Sequence, residues 1–215
     1  MKNCGFQKIV VEKKSLENKR EKRTNCKIYL FRHAQTYFNK KKIFTGWKDS
    51  KLTPFGIKQA EIIAKKLSDK KIDVGFETSL SRSKDTLKKV IKNHSECFMI
   101  IEDNRMIERS YGDLQGLTHK AFIAKNGEEL YDKYHRAYDF PPPNGESLKM
   151  VEERVLSFIK DLLKFIKVNK INVGISAHGN SMRPFRRYFE KFSKEKMTLI
   201  ENPWDDYFEY EVKCT

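Results

Sequence analysis

Apolar residues come along this chain alternately as short runs of strand length and as stripes at helical spacing. Lys27-Ile28-Tyr29-Leu30-Phe31 is a short apolar run ended abruptly by Arg32-His33, and it predicts a central strand. Thr53-Pro54 supplies an N-cap followed by proline at the first helical position. Ile57, Ala60, Ile63, Ala64 and Leu67 follow as a stripe, so a helix is expected over about 54–68. A short strand at Ile72–Glu77, a helix over about 82–92 with Leu87, Val90 and Ile91 inward, and a strand at Cys97–Ile101 come next. Gly112, Gly116 and the segment Phe140-Pro141-Pro142-Pro143-Asn144-Gly145 mark irregular chain, because proline is excluded from helix interiors and central strands.

Ser147 can cap a long helix to about 167, with Leu148, Val151, Val155, Phe158, Ile159, Leu162 and Phe165 near one face. Ile171–Ala177 reads as a second central strand, again followed at once by a histidine, His178. Short helices over 184–192 and 194–199 and an alternating strand at Tyr207–Val212 complete the pattern. Strands separated by helices predict an α/β fold, a three-layer α/β/α sandwich with a mostly parallel central sheet. Ligands collect at the carboxyl ends of the strands in such folds, which is where both histidines fall.

Composition narrows the class. At 215 residues the chain has the length of one ordinary domain, and 39% hydrophobic residues suffice for a core. Residues 1–25, with small apolar clusters and a dense charge run, read as a flexible basic extension, leaving 26–215 as the catalytic domain. No run approaches eighteen apolar residues and no signal peptide is evident, so neither a membrane span nor secretion is expected and a cytoplasmic location is. Cys4, Cys26, Cys97 and Cys214 lie far apart without a CxxC, which fits reduced thiols better than a disulfide framework or a zinc site.

The net charge of +15 attracts polyanions: nucleic acid, anionic membrane or phosphorylated small molecules. Nucleic acid loses ground, because no RRM-like aromatic pair, KH glycine loop or zinc spacing is present. Phe31-Arg32-His33-Ala34-Gln35-Thr36 is the first segment with chemistry in it. His33 could attack a phosphoryl group through one ring nitrogen while a backbone carbonyl holds the proton on the other. Arg32 would meet the phosphate oxygens with fixed, paired donors. An Arg-His pair alone is unspecific and more often a surface pair.

The pair does not stand alone. Arg32-His33-Ala-Gln-Thr, Phe44-Thr45-Gly46-Trp47, Leu52-Thr53, Glu108-Arg109-Ser-Tyr111-Gly112-Asp113-Leu114-Gln115-Gly116-Leu117, Pro141-Pro-Pro-Asn-Gly-Glu-Ser147 and Ala177-His178-Gly179-Asn180-Ser181 resemble, in order, blocks of the histidine phosphatase superfamily. The likeness is greatest to the cofactor-dependent phosphoglycerate mutases and runs from about Lys27 to Val212. The resemblance implies a phosphate pocket of Arg32, His33, Arg82 and His178, with His33 phosphorylated, Glu108 as proton donor and acceptor, and no metal. It also places Asn39, Thr45, Gly46 and Tyr111 at substrate or phosphate contacts, and implies a homodimer or tetramer. Gly179 would let the backbone approach an anion, Asn180 could donate to a substrate oxygen, and the helix N-terminus near 82 could add backbone N–H groups.

The primary expectation is therefore phosphoryl transfer through a phosphohistidine, interconverting 3- and 2-phosphoglycerate with 2,3-bisphosphoglycerate as primer. The alternative is a phosphatase of small phosphorylated metabolites, with a nucleic-acid-binding or scaffold protein as a minor one. The chain departs from the mutase pattern where a second anion would be held. An Asn-Lys pair is replaced by Thr118-His119, with Lys120 one position late. Paired arginines are replaced by His135-Arg136, and a small Thr-Gly turn by Asn202-Pro203-Trp204-Asp205-Asp206. In a mutase His119, Lys120, His135 and Arg136 would have to hold the distal end of the substrate.

Overall fold

The computed structural model describes residues 5–12 and 23–214. Six strands, β1 (Lys8–Glu12), β2 (Asn25–Arg32), β3 (Val74–Glu77), β4 (Met99–Glu102), β5 (Val173–Ala177) and β6 (Tyr207–Lys213), form one sheet in the order β1-β4-β3-β5-β2-β6. The inner four are mutually parallel, and the edge strands β1 and β6 run antiparallel to their neighbours. Eight α-helices accompany them among the described residues: α1 (Tyr37–Lys40), α2 (Pro54–Lys66), α3 (Ser81–Ile91), α4 (His119–Asn126), α5 (Glu128–Arg136), α6 (Leu148–Asn169), α7 (Gly179–Glu190) and α8 (Lys194–Leu199).

Alternation along β2 explains the three layers. Tyr29 and Phe31 pack with Ile63 of α2, Leu67 at its C-cap, and Leu87 and Val90 of α3 on one face. Ile28 and Leu30 point the other way, into a larger core with Val155, Phe158, Ile159 and Leu162 of α6 and Met182 and Phe185 of α7. The Thr53 hydroxyl accepts from Gly56 N at 2.9 Å and the Ser147 hydroxyl from Met150 N at 3.2 Å, so both expected caps start their helices.

The structure departs from the sequence reading in four places. Residues 8–12, inside the segment expected to be flexible, form an edge strand on β4, and Phe6 packs its ring 5.1 Å from Phe76 and 5.2 Å from Phe165. Phe6 alone gives no periodic signal, yet its ring packs against the larger core while Ile9 and Val10 stay exposed; residues 13–22 lie outside the described residues. Cys26 and Cys214 are joined in a disulfide, so the expectation of reduced thiols fails for this pair. The antiparallel β2–β6 register brings together two cysteines separated by 188 residues, which spacing alone does not reveal. Helix α7 begins at Gly179 and carries Pro184 inside it rather than starting there. Finally, α4 and α5 occupy a stretch with no apolar stripe strong enough to predict them.

Candidate active site

β2 and β5 are adjacent and parallel, with Arg32 opposite Ala177, so the residues that follow each strand emerge side by side. His33 N donates to Ala177 O at 2.9 Å, and the His33 and His178 rings lie 5.0 Å apart. His33 Nδ1 is 2.8 Å from Ala34 O, which can only accept. Nδ1 therefore carries the proton and Nε2 keeps its lone pair, the tautomer a nucleophile requires. Burial first, then Arg82 and Arg32, push the His33 pKa well below its ordinary value. The ring is neutral at physiological pH.

Arg82 is fully buried, and its Nη2 donates to Gly46 O at 2.7 Å and Nη1 to Lys48 O at 3.0 Å. Gly46 holds φ +52°, a left-handed turn that aims its carbonyl at the guanidinium. Arg32 donates from Nη1 to Asn202 O at 3.1 Å and lies 4.5 Å over the Trp204 ring, a cation–π contact on its outer side. His178 is hydrogen-bonded through Nε2 to Thr78 Oγ1 at 2.8 Å. Arg32 Nε, Arg82 Nε and His178 Nδ1 are buried without a protein partner, an arrangement that suits an anion at His33.

Glu108 Oε1 accepts from Arg109 N at 2.8 Å and Asn180 N at 3.0 Å. Its backbone is held from below by Arg154, whose guanidinium donates to the carbonyls of Arg105, Ile107 and Glu108 at 2.7, 2.8 and 3.1 Å and pairs with Glu146 at 2.9 Å. Arg154→Met leaves these carbonyls and Glu146 without their cation. It is expected to lower the unfolding free energy by about 3–5 kcal/mol, read as a shift of the urea midpoint; an unshifted midpoint would refute this role.

His33, Glu108 and His178 each offer a ligand atom, all within 4.8 Å of one another, a spacing a metal ion could use. Arg32 and Arg82 place two fixed positive charges against the same ring, which favours an anion there.

A cavity of about 140 Å³ opens onto this cluster, lined by Arg32, His33, Asn39, Thr45, Gly46, Arg82, Glu108, Tyr111, His119, His135, Gly179 and Asn180. These are sequence-expected residues brought together from six segments. His178 packs behind His33 rather than lining the cavity. Lys120 is exposed and turned away: Thr118 caps α4, and consecutive positions on a helix diverge by about 100°. Arg136 pairs with Glu201 at 3.0 Å and is not among the lining residues. The N-terminus of α3 is satisfied by Asp49, whose carboxylate accepts from Ser81 N at 3.1 Å, so it is not turned toward an anion at His33. Beside Gly179 lies the Arg32 guanidinium, which a Cβ there would approach to 3.3 Å.

Phe44, Arg183, Glu201 and Asn202 also line the cavity; Phe44 and Asn202 lie in segments the sequence singles out, but none of the four is among the expected site residues. Arg183, one turn into α7 beyond Gly179-Asn180, was the one that helical periodicity could have found. A larger, open cleft of about 1080 Å³ between α2 and α3 contains neither histidine nor arginine.

The fold and this cluster together define an α/β/α phosphoryl-transfer enzyme with a histidine at its centre. A model of the histidine phosphatase superfamily (branch 1) matches residues 28–206, and the chain belongs to that superfamily. It is 39% identical over 177 residues to a 2,3-bisphosphoglycerate-dependent phosphoglycerate mutase of Parvibaculum lavamentivorans, covering 80% of this chain and 84% of that protein. It is 38% identical over 159 residues to a phosphoglycerate mutase of Schizosaccharomyces pombe, covering 73% and 75%. In fold it is similar to the alpha-ribazole phosphatase from Shigella flexneri, with a TM-score of 0.74, 21% identity and coverage of 85% and 89%. A mycobacterial glucosyl-3-phosphoglycerate phosphatase gives a TM-score of 0.74, 22% identity and coverage of 87% and 90%.

Proposed function

We propose that this enzyme is a phosphomonoesterase of small phosphorylated metabolites, acting through a phosphohistidine on His33. His33 Nε2 attacks phosphorus, the ester P–O bond breaks, and Glu108 gives its proton to the departing oxygen. Water then attacks the phosphohistidine, giving up a proton to Glu108, releasing inorganic phosphate and restoring the neutral ring. Arg32 and Arg82, held by carbonyls and Trp204, meet the equatorial oxygens as charge moves onto them.

The observation that carries hydrolysis over isomerisation is the character of the remaining wall. His119 and His135, their rings 5.9 Å apart, stand where the mutases resemble one another in lysine and arginine. Burial lowers the pKa of both, that of His135 to about 3. Phe44 lies 4.4 Å from the His119 ring, and Tyr131 stacks on His135 at 5.2 Å. A second phosphate would meet two neutral imidazoles there, so 2,3-bisphosphoglycerate fits this wall poorly.

The second reading, a phosphoglycerate mutase primed by 2,3-bisphosphoglycerate, is favoured by the 39% identity to a protein of that name. The two are separated by incubating the enzyme with 3-phosphoglycerate and catalytic 2,3-bisphosphoglycerate and following 2-phosphoglycerate and inorganic phosphate together by phosphorus NMR. Phosphate release with little isomerisation is expected. Rapid isomerisation without matching phosphate release would replace the phosphatase reading with the mutase.

A further inference from the structure

Three arginines line the cavity, and two of them, Arg32 and Arg82, belong to the phosphate cradle. The third, Arg183, together with Arg136 just behind it, is the fixed positive charge that a substrate's far end could use. Both are already engaged. Glu201, from the loop that follows α8, directs one carboxylate oxygen to Arg136 Nη2 at 3.0 Å and Arg183 Nη2 at 3.5 Å. Its own backbone is pinned, its carbonyl accepting from Arg186 Nη1 at 3.2 Å, and the next residue, Asn202, donates to Gly179 O at 2.9 Å and accepts from Arg32. The loop that steadies the cradle thus also delivers a carboxylate to Arg183, the one lining cation outside it among the described residues.

We infer that Glu201 is a specificity-determining residue: it occupies the distal arginine pair as an internal carboxylate and turns the cavity toward phosphomonoesters whose alcohol portion carries no negative charge. The inference rests on reading the cavity as a phosphomonoester site. A ligand carboxylate reaching for Arg183 meets Glu201 in the same place, and the like charges oppose each other in a partly desolvated pocket. A hydroxyl in that position meets no such opposition and can bond to the carboxylate or to the neutral imidazoles. The Glu201 side chain is 67% exposed, so its removal disturbs no packed core, and specificity can be tested without loss of the fold.

3-Phosphoglycerate and glycerol 3-phosphate are suitable probes, differing in a carboxylate against a hydroxymethyl group at the end far from the phosphate. Their dissociation constants, with that of inorganic phosphate, are measured by calorimetry in protein carrying His33→Ala, so that neither hydrolysis nor isomerisation intervenes. Adding Glu201→Gln is expected to raise the preference for 3-phosphoglycerate over glycerol 3-phosphate about tenfold or more, with Glu201→Ala acting in the same direction. Adding Arg183→Gln to Glu201→Gln should remove most of that gain, because the freed cation that lines the cavity is then gone. A preference changed by less than threefold in both Glu201 variants, with phosphate still bound, overturns the role of Glu201 and leaves the phosphate site standing. Loss of all phosphate binding overturns both.

Discussion

His33→Ala is expected to lower kcat/KM for any phosphomonoester by about four orders of magnitude or more, a loss of at least about 5 kcal/mol of transition-state stabilisation. The magnitude follows from the number of functions that converge on one ring. Its Nε2 lone pair is preserved by the bond from Nδ1 to Ala34 O, and its protonation is opposed by burial and by two guanidinium groups. His178 is not placed to substitute, because it packs behind His33 and does not line the cavity. Hydrolysis of p-nitrophenyl phosphate measures the rate. An acid-labile, base-stable phosphate on the wild-type chain, missing from the variant, identifies the intermediate. Wild-type turnover by the variant would sink the assignment.

Acid is expected to destabilise the protein steeply between pH 6.5 and 5. Four of its five histidines, His33, His119, His135 and His178, have folded-state pKa values pushed down, chiefly by burial. The unfolded chain takes up protons as pH falls through about 6.5, while the folded chain refuses them. Stability is therefore full above the unfolded value and declines below it. Each histidine kept neutral contributes a slope of about 1.4 kcal/mol per pH unit. Together they remove a share of the folding free energy comparable to the whole stability of many domains. Urea midpoints at pH 7.5, 6.5 and 5.5 in phosphate-free buffer test this, and a midpoint that does not move contradicts it. Inorganic phosphate should blunt the decline, because a bound dianion favours charged rings beside it.

The parts of the fold legible in the sequence are those whose local pattern and tertiary role coincide. β2 and β5 are buried on both faces and read as unbroken apolar runs, and α2 and α6 carry their own caps and stripes. α5 is not legible, since none of its residues is buried and Leu130, Tyr131 and Tyr134 pack on a small separate cluster of Phe44, Tyr111, Leu114 and Phe122 rather than on the sheet. The site divides along the same line. Arg32, His33 and His178 sit at strand ends that periodicity locates, whereas Glu201 and Trp204 act through contacts made only when distant loops meet. Lys120 misled because a charge count along the chain ignores which way a helix faces.

The N-terminal strand has a consequence for the order in which the chain is built. β1 precedes the other described strands in the chain, yet the strand it pairs with is β4, some ninety residues later. During synthesis from the N-terminus it must wait, unpaired, until Met99–Glu102 has emerged and joined the parallel strands. The earliest of the described strands is thus a late one to be placed, while β6 closes the opposite edge against β2. Each border strand runs antiparallel to an inner strand of a parallel middle, and so depends on that inner strand for its place.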